Sequence, residues 1–226
     1  GGHALVALLT DGADPVHKAT IMPRGQALGM VQQLPDGDQT SFSRRQMLAR
    51  LDVCMGGRVA EELVYGENDV TSGASSDIYQ ATRLARNMVT KWGFSDDLGV
   101  VLYSSDSAFF EPSNQTKTKI DEEVKHILDQ SYTRAKTLLT KHRGLLDKIA
   151  KTLLDQETVS GDDLTTLLRD HQQQQQLAHH PAAVDAALAS SPHLAPLLPG
   201  AKTTTTTKTS ISLAAPPSKP AAAASQ

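Results

Sequence analysis

Residues 43–66, SRRQMLARLDVCMGGRVAEELVYG, decide the fold. Ser43 is a helix-capping residue type, and Met47, Leu48, Leu51, Met55, Val59 and Leu63 follow it at steps of three or four, the period that lays an apolar stripe along one face of an α-helix. Tyr65-Gly66 ends the pattern. Inside it stands Gly56-Gly57, which costs up to about 1 kcal/mol per glycine relative to alanine. A glycine pair at that point permits close backbone approach of a neighbouring helix.

Working outward, Ala4 to Leu9 read as a short apolar helix with His3 on its first turn. The turn cluster Asp11-Gly12-Ala13-Asp14-Pro15 separates it from two extended segments, Val16 to Met22 and Ala27 to Leu34, which suggest a short antiparallel pair. On the other side, a third helix is expected from about Ser75-Ser76-Asp77 through Ile78, Ala81, Ala85, Met88, Val89 and Trp92 to Gly93. After a poorly periodic stretch from Phe94 to Pro112, a long amphipathic helix is expected from about Thr116 to His142. Its stripe is Ile120, Val124, Ile127, Leu128, Ser131, Ala135, Leu138 and Leu139. Two shorter helices follow, Leu145 to Asp155 and Leu164 to Arg169, and the three together predict a C-terminal helical subdomain. The fold class read from the pattern is mainly α, with a small β pair near the first helix.

The chain has 226 residues, and its composition changes at His171. Five glutamines, then Ala, Pro, Ser and Thr in runs, hold too few large apolar residues to offset chain entropy. Residues 1–170 are therefore expected to fold, and 171–226 to form a disordered low-complexity tail. The tail carries only Lys202, Lys208, Lys219 and Asp185, which leaves 19 basic against 24 acidic residues before it, a balance of −5. That excludes the basic face a nucleic-acid-binding domain needs. Cys54 is the only cysteine and sits between Val53 and Met55, where it reads as a small buried hydrophobe rather than part of a thiolate cluster.

Gly1-Gly2-His3 fits the last three positions of the helical zinc motif His-Glu-x-x-His, in which two imidazoles stack one turn apart and the Glu activates water. Alone, the fit decides nothing, because a His beside an apolar run is more often an ordinary core or surface residue. Two longer blocks give it context. Asp14-Pro15-Val16-His17-Lys18-Ala19-Thr20-Ile21-Met22-Pro23-Arg24-Gly25 and Gly56-Gly57-Arg58-Val59-Ala60-Glu61-Glu62-Leu63-Val64-Tyr65-Gly66 closely resemble the peptidase domain of FtsH-type ATP-dependent zinc metalloproteases. Thr71-Ser72-Gly73-Ala74-Ser75-Ser76-Asp77, with Ala81-Thr82 and Met88-Val89, is similar to the same family's third-ligand segment. The resemblance covers residues 1 to about 170 in one register and is nearest to the organellar branch, the mitochondrial i-AAA proteases and their plant and algal relatives.

The resemblance implies a zinc metalloendopeptidase in which His3 matches the second His of the motif and Asp77 the carboxylate ligand. The first His and the catalytic Glu have no counterpart and are expected immediately upstream of residue 1. Glu61 matches a family acid that supports the ligating imidazole. Without the resemblance, Asp77 would read as a helix-capping acid and Glu61 as a solvated one. Further implied are a membrane-anchored homohexamer, an upstream AAA ATPase that uses ATP, unfolded or membrane protein substrates, and a place in the mitochondrial inner membrane or, alternatively, a chloroplast membrane. No phosphate-binding Gly-Lys-Ser/Thr loop occurs in these residues, so ATP is not expected to bind this chain. His17, His126 and His142 have no ligand spacing, and His171, His179, His180 and His193 fall in the low-complexity tail. The segment Leu28 to Leu34, as an edge strand, would offer its main chain to an extended substrate. A reading of another class is an inert helical assembly module.

Overall fold

The computed structural model describes residues 1–23, 29–34, 37, 41–103 and 111–179. These form helix α1 (Gly2–Leu9), strands β1 (Val16–Thr20) and β2 (Met30–Gln33), α2 (Arg44–Tyr65), α3 (Ser75–Thr90), α4 (Asn114–Lys141), α5 (Arg143–Gln156), β3 (Thr158–Ser160) and α6 (Gly161–His179). The mainly α expectation holds. Arg24, Gly25, Ala27, Leu28, Pro35, Asp36 and Asp38, which belong to the expected strands and turns, lie outside the described residues, as does the tail from residue 180.

α2 is the central helix, packed by α1, α3 and α4. Its start is a full capping box: the Ser43 hydroxyl accepts the Gln46 N–H, and the Gln46 side chain accepts the Ser43 N–H. The glycine pair does what its position suggested. At Gly2 of α1 an added Cβ would lie 2.1 Å from the Gly56 carbonyl oxygen and 2.6 Å from Ala60 Cβ, so α1 and α2 touch backbone to backbone. Ala4, Leu5 and Val6 are thereby wholly buried. Leu51, Val59, Leu139, Leu145 and Ile149 share their cluster, so α4 and α5 complete one core with α1 and α2 rather than enclosing a second.

β1 and β2 pair antiparallel, with an irregularity between Val16 and Lys18, and β3 adds on the other side of β1 to give the order β2-β1-β3. The sequence pattern did not reveal β3, because three residues with one apolar member, Val159, carry no period. Its place is set by α5. Glu157 takes a left-handed backbone (φ 61°), and its carbonyl accepts the Ile21 N–H at 2.9 Å and the Thr20 hydroxyl at 3.1 Å.

Two helix ends differ from expectation. α3 stops at Thr90, where the Phe94 N–H turns back to the Met88 carbonyl and Gly93 adopts φ 64°, so Trp92 leaves the stripe and is 43 % exposed. α6 is longer than Leu164 to Arg169 and continues through the glutamines to His179. Glutamine is a good helix former, and a hydrogen bond between Gln175 and His171, one turn apart, extends the helix without any apolar stripe.

Candidate metal centre

The first turn of α1 and the first turn of α3 meet across α2. His3 Nε2 lies 3.0 Å from Asp77 Oδ2, a hydrogen bond between residues 74 apart in sequence. Both side chains are about a third exposed, at 32 % and 29 %, so the pair is open to solvent on one side and walled on the other. The ring's wall is Gly57. A Cβ there would come within 2.4 Å of His3 Cε1 and 2.9 Å of Nε2, so glycine at 57 is what leaves the imidazole room against α2. Gly57 and Glu61 are one helical turn apart and share that face.

Glu61 does not hold the imidazole in this arrangement. Its carboxylate accepts the Thr71 N–H at 2.9 Å and the Thr71 hydroxyl at 3.1 Å. The same hydroxyl oxygen accepts the Gly73 N–H at 3.1 Å, capping the 3-10 turn Ser72–Ala74 that runs straight into α3. Glu61 thus braces the segment leading to Asp77. α3 has no side-chain cap of its own at Ala74. Asp77 stands in its first turn, so the dipole-complementing role is compatible with ligation.

Cys54 lies near Asp77 on the inner side. Burial first, and then the negative charge of Asp77, push its thiol up to about 11, so it is a neutral thiol at pH 7. Among the described residues no group of three His, Cys, Asp or Glu converges, so His3 and Asp77 stand as a pair. His17, His126, His142 and His171 are not brought to them. His126 bonds Gln130 on its own helix instead.

The next residue along α2, about 100° further round the helix, meets α4 instead. Glu62 accepts from Arg58 at 2.9 Å and from the Tyr132 hydroxyl on α4, with Lys136 at 3.7 Å. Burial works to raise its carboxyl, but the bonds from Tyr132 and Arg58 and the charges of Arg58 and Lys136 prevail and hold it below the ordinary carboxylate range. Further along the same contact, Arg134 grips Asp52 with two bonds of 2.9 and 2.7 Å and also donates to the buried Ser131 hydroxyl. These partners were not foreseen from the sequence. The only available signal was a serine, Ser131, standing in an otherwise apolar stripe.

The family resemblance of the sequence is borne out by comparison with known proteins. The family model described as Peptidase family M41 matches residues 1–167. The chain is 51 % identical over 171 residues to the rice ATP-dependent zinc metalloprotease FTSH 9, chloroplastic/mitochondrial, covering 76 % of this chain and 21 % of that one. To FTSH 11, chloroplastic/mitochondrial, of Arabidopsis thaliana it is 53 % identical over 167 residues, covering 74 % and 20 %. The FtsH of Caulobacter vibrioides is 47 % identical over 212 residues, covering 89 % and 33 %. The chain therefore spans between a fifth and a third of the length of these relatives. With a family model matched along the whole helical core and about half of the residues shared with plant and bacterial relatives, the chain belongs to peptidase family M41.

Proposed function

We propose that this chain is the peptidase part of an ATP-dependent zinc metalloendopeptidase, with His3 and Asp77 as two of its zinc ligands. The observation that carries the reading is the 3.0 Å approach of His3 Nε2 to Asp77 Oδ2. An imidazole nitrogen and a carboxylate oxygen are a zinc donor set, and two donors at about 2.0 to 2.1 Å in a tetrahedral shell stand about 3.3 Å apart. The pair is thus nearly at ligand spacing already. Zinc, when bound, supplies Lewis acidity to a peptide carbonyl and to water. The chain's own contribution is placement: Gly57 seats the ring, α2 holds both helix starts, and the pair stays about a third exposed, on the side from which an extended chain would approach. β2, as an outer strand of the sheet, is where such a chain would pair main chain to main chain.

The relatives' names support ATP-driven action and an organelle, mitochondrion or chloroplast, as the site of work. We assign unfolded or membrane proteins as substrates, a homohexamer as the assembly, and a membrane anchor and AAA domain to sequence outside residues 1–226. No described helix is long and apolar enough to cross a membrane. The family motif's first His and its catalytic Glu are matched by no residue of this sequence, so the chain alone is expected to bind zinc poorly and to hydrolyse nothing. The reading of another class, an inert helical assembly module, draws on the absence of any three-ligand group among the described residues.

One comparison separates them. The chain as it stands and a form extended upstream by the family's His and Glu are assayed for zinc stoichiometry and, joined to the ATPase, for cleavage of an unfolded casein-like substrate. The protease reading expects one zinc per extended chain and ATP-dependent cleavage. An extended form that neither binds zinc nor cleaves sinks it and leaves the assembly module.

A further inference from the structure

We infer that Glu61 and Thr71 act as a clamp that positions Asp77, an inference that rests on the metal-site reading above. Three links make the clamp. Glu61 on α2 takes both donors of Thr71, the main-chain N–H at 2.9 Å and the hydroxyl at 3.1 Å. The Thr71 oxygen then accepts the Gly73 N–H at 3.1 Å. Ser72–Ala74 is a single 3-10 turn whose last residue is the N-cap of α3, so fixing residues 71 and 73 to α2 fixes where α3 begins.

The position matters because, among the described residues, the other side-chain ties at that start are the Ser75 hydroxyl to the Ser72 carbonyl, which stays within the turn, and the His3 to Asp77 bond itself. Ala74 offers no side-chain cap, and Ser75, Ser76, Ile78 and Tyr79 around Asp77 are exposed, with Ile78 at 45 % and Tyr79 at 67 %. Only Ala74, in the turn, and Ala81, a turn further along, are buried. A short exposed helix start would fray on its own. The same α2 face seats the His3 ring on Gly57, one turn from Glu61. One rigid helix thus references both members of the pair, the imidazole through a glycine and the carboxylate through a charge-assisted clamp.

This role differs from direct support of the imidazole by Glu61, and Thr71 distinguishes the two. Thr71→Val removes the hydroxyl links but leaves the Glu61 carboxylate in place, Thr71→Ser restores them, and Glu61→Ala removes the clamp and any support of the ring together. Two readouts apply: in the metal-free chain, amide hydrogen exchange at Gly73 and the nuclear Overhauser contact between the His3 ring and the Asp77 β-protons; in the upstream-extended form, zinc affinity by competition with a chromophoric chelator. Circular dichroism and thermal melting check that each variant folds.

The clamp predicts that Thr71→Val accelerates Gly73 exchange by at least about tenfold, weakens the His3 to Asp77 contact and lowers zinc affinity by about 10- to 100-fold, the usual range for a residue behind a ligand. Thr71→Ser stays near the parent in all three. A folded Thr71→Val that keeps the contact and the affinity overturns the clamp, and if Glu61→Ala still loses zinc, Glu61 acts on the ring directly. Should the extended parent bind no zinc at all, the metal reading fails while the metal-free contact still decides the clamp.

Discussion

Glu61 and Glu62 are neighbours on one helix, yet they face two different kinds of environment. On the α4 side of α2, Glu62 and Asp52 are 9 % and 7 % exposed, and their partners Arg58, Tyr132, Lys136 and Arg134 are closely hydrogen-bonded. On the α1 and α3 side, glycines stand where side chains would pack, and His3 and Asp77 share one hydrogen bond at a surface a third open. The first face is saturated and holds helices together. The second leaves its polar pair partly exposed. A polar pair seated on a helix that is braced along its α4 contact is the arrangement the proposed metal site needs.

The contrast is broken most forcefully at Asp52. Asp52→Ala takes from the half-exposed Arg134 guanidinium its two bonds to a buried carboxylate, and with water able to reach Arg134 the loss is expected to be about 2 to 3 kcal/mol in urea unfolding. The His3 to Asp77 contact, on the other face, should persist in whatever fraction remains folded.

Glu62→Gln is expected to cost less, about 1 to 2 kcal/mol at pH 7. Its carboxyl is held below the ordinary value of 4.5, so the stabilisation is present above that value and is lost as pH falls through the lower folded one. Stability curves of parent and variant should therefore converge in acid. A gap that stays constant from pH 7 to about pH 3 would show that shape, and not charge, is what Glu62 contributes.

Gly57→Ala should invert the pattern. Alanine gains about 1 kcal/mol of helix propensity, which offsets part of the cost of pushing the His3 ring away, so overall stability should change little. Zinc affinity of the upstream-extended form should nevertheless fall about tenfold or more, because the ring leaves its seat. Equal affinity would mean that the ring has a second low-energy position.

The smallest effect is expected at Arg45→Ala. Its pair with Asp11 has both members largely exposed, so the loss should stay under about 0.5 kcal/mol and shrink further in salt. It serves as the baseline for an ion pair outside either face.

Much of this was legible in the sequence for identifiable reasons. The cap at Ser43, the stripe of α4 and the glycine pair of α2 are local signals, and each appears where the pattern put it. His3 and Asp77 were paired by resemblance to a family motif, and no spacing rule alone links residues 74 apart. What stayed hidden was non-local or too short to have a period. β3 exists because Glu157 turns the chain toward Thr20, and the Glu61 to Thr71 link joins a helix to a loop. α6 ran past its expected end because glutamine's helix propensity does not register in a search for apolar stripes.

The proposed ligation of one zinc ion by His3 of α1 and Asp77 of α3 has a direct crystallographic test. Anomalous diffraction at the zinc edge from zinc-loaded crystals of the upstream-extended chain tests it directly. A single strong peak is expected about 2 Å from both His3 Nε2 and Asp77 Oδ2. A peak that touches only one of them, or an ordered zinc elsewhere with the His3 to Asp77 hydrogen bond intact, would contradict it.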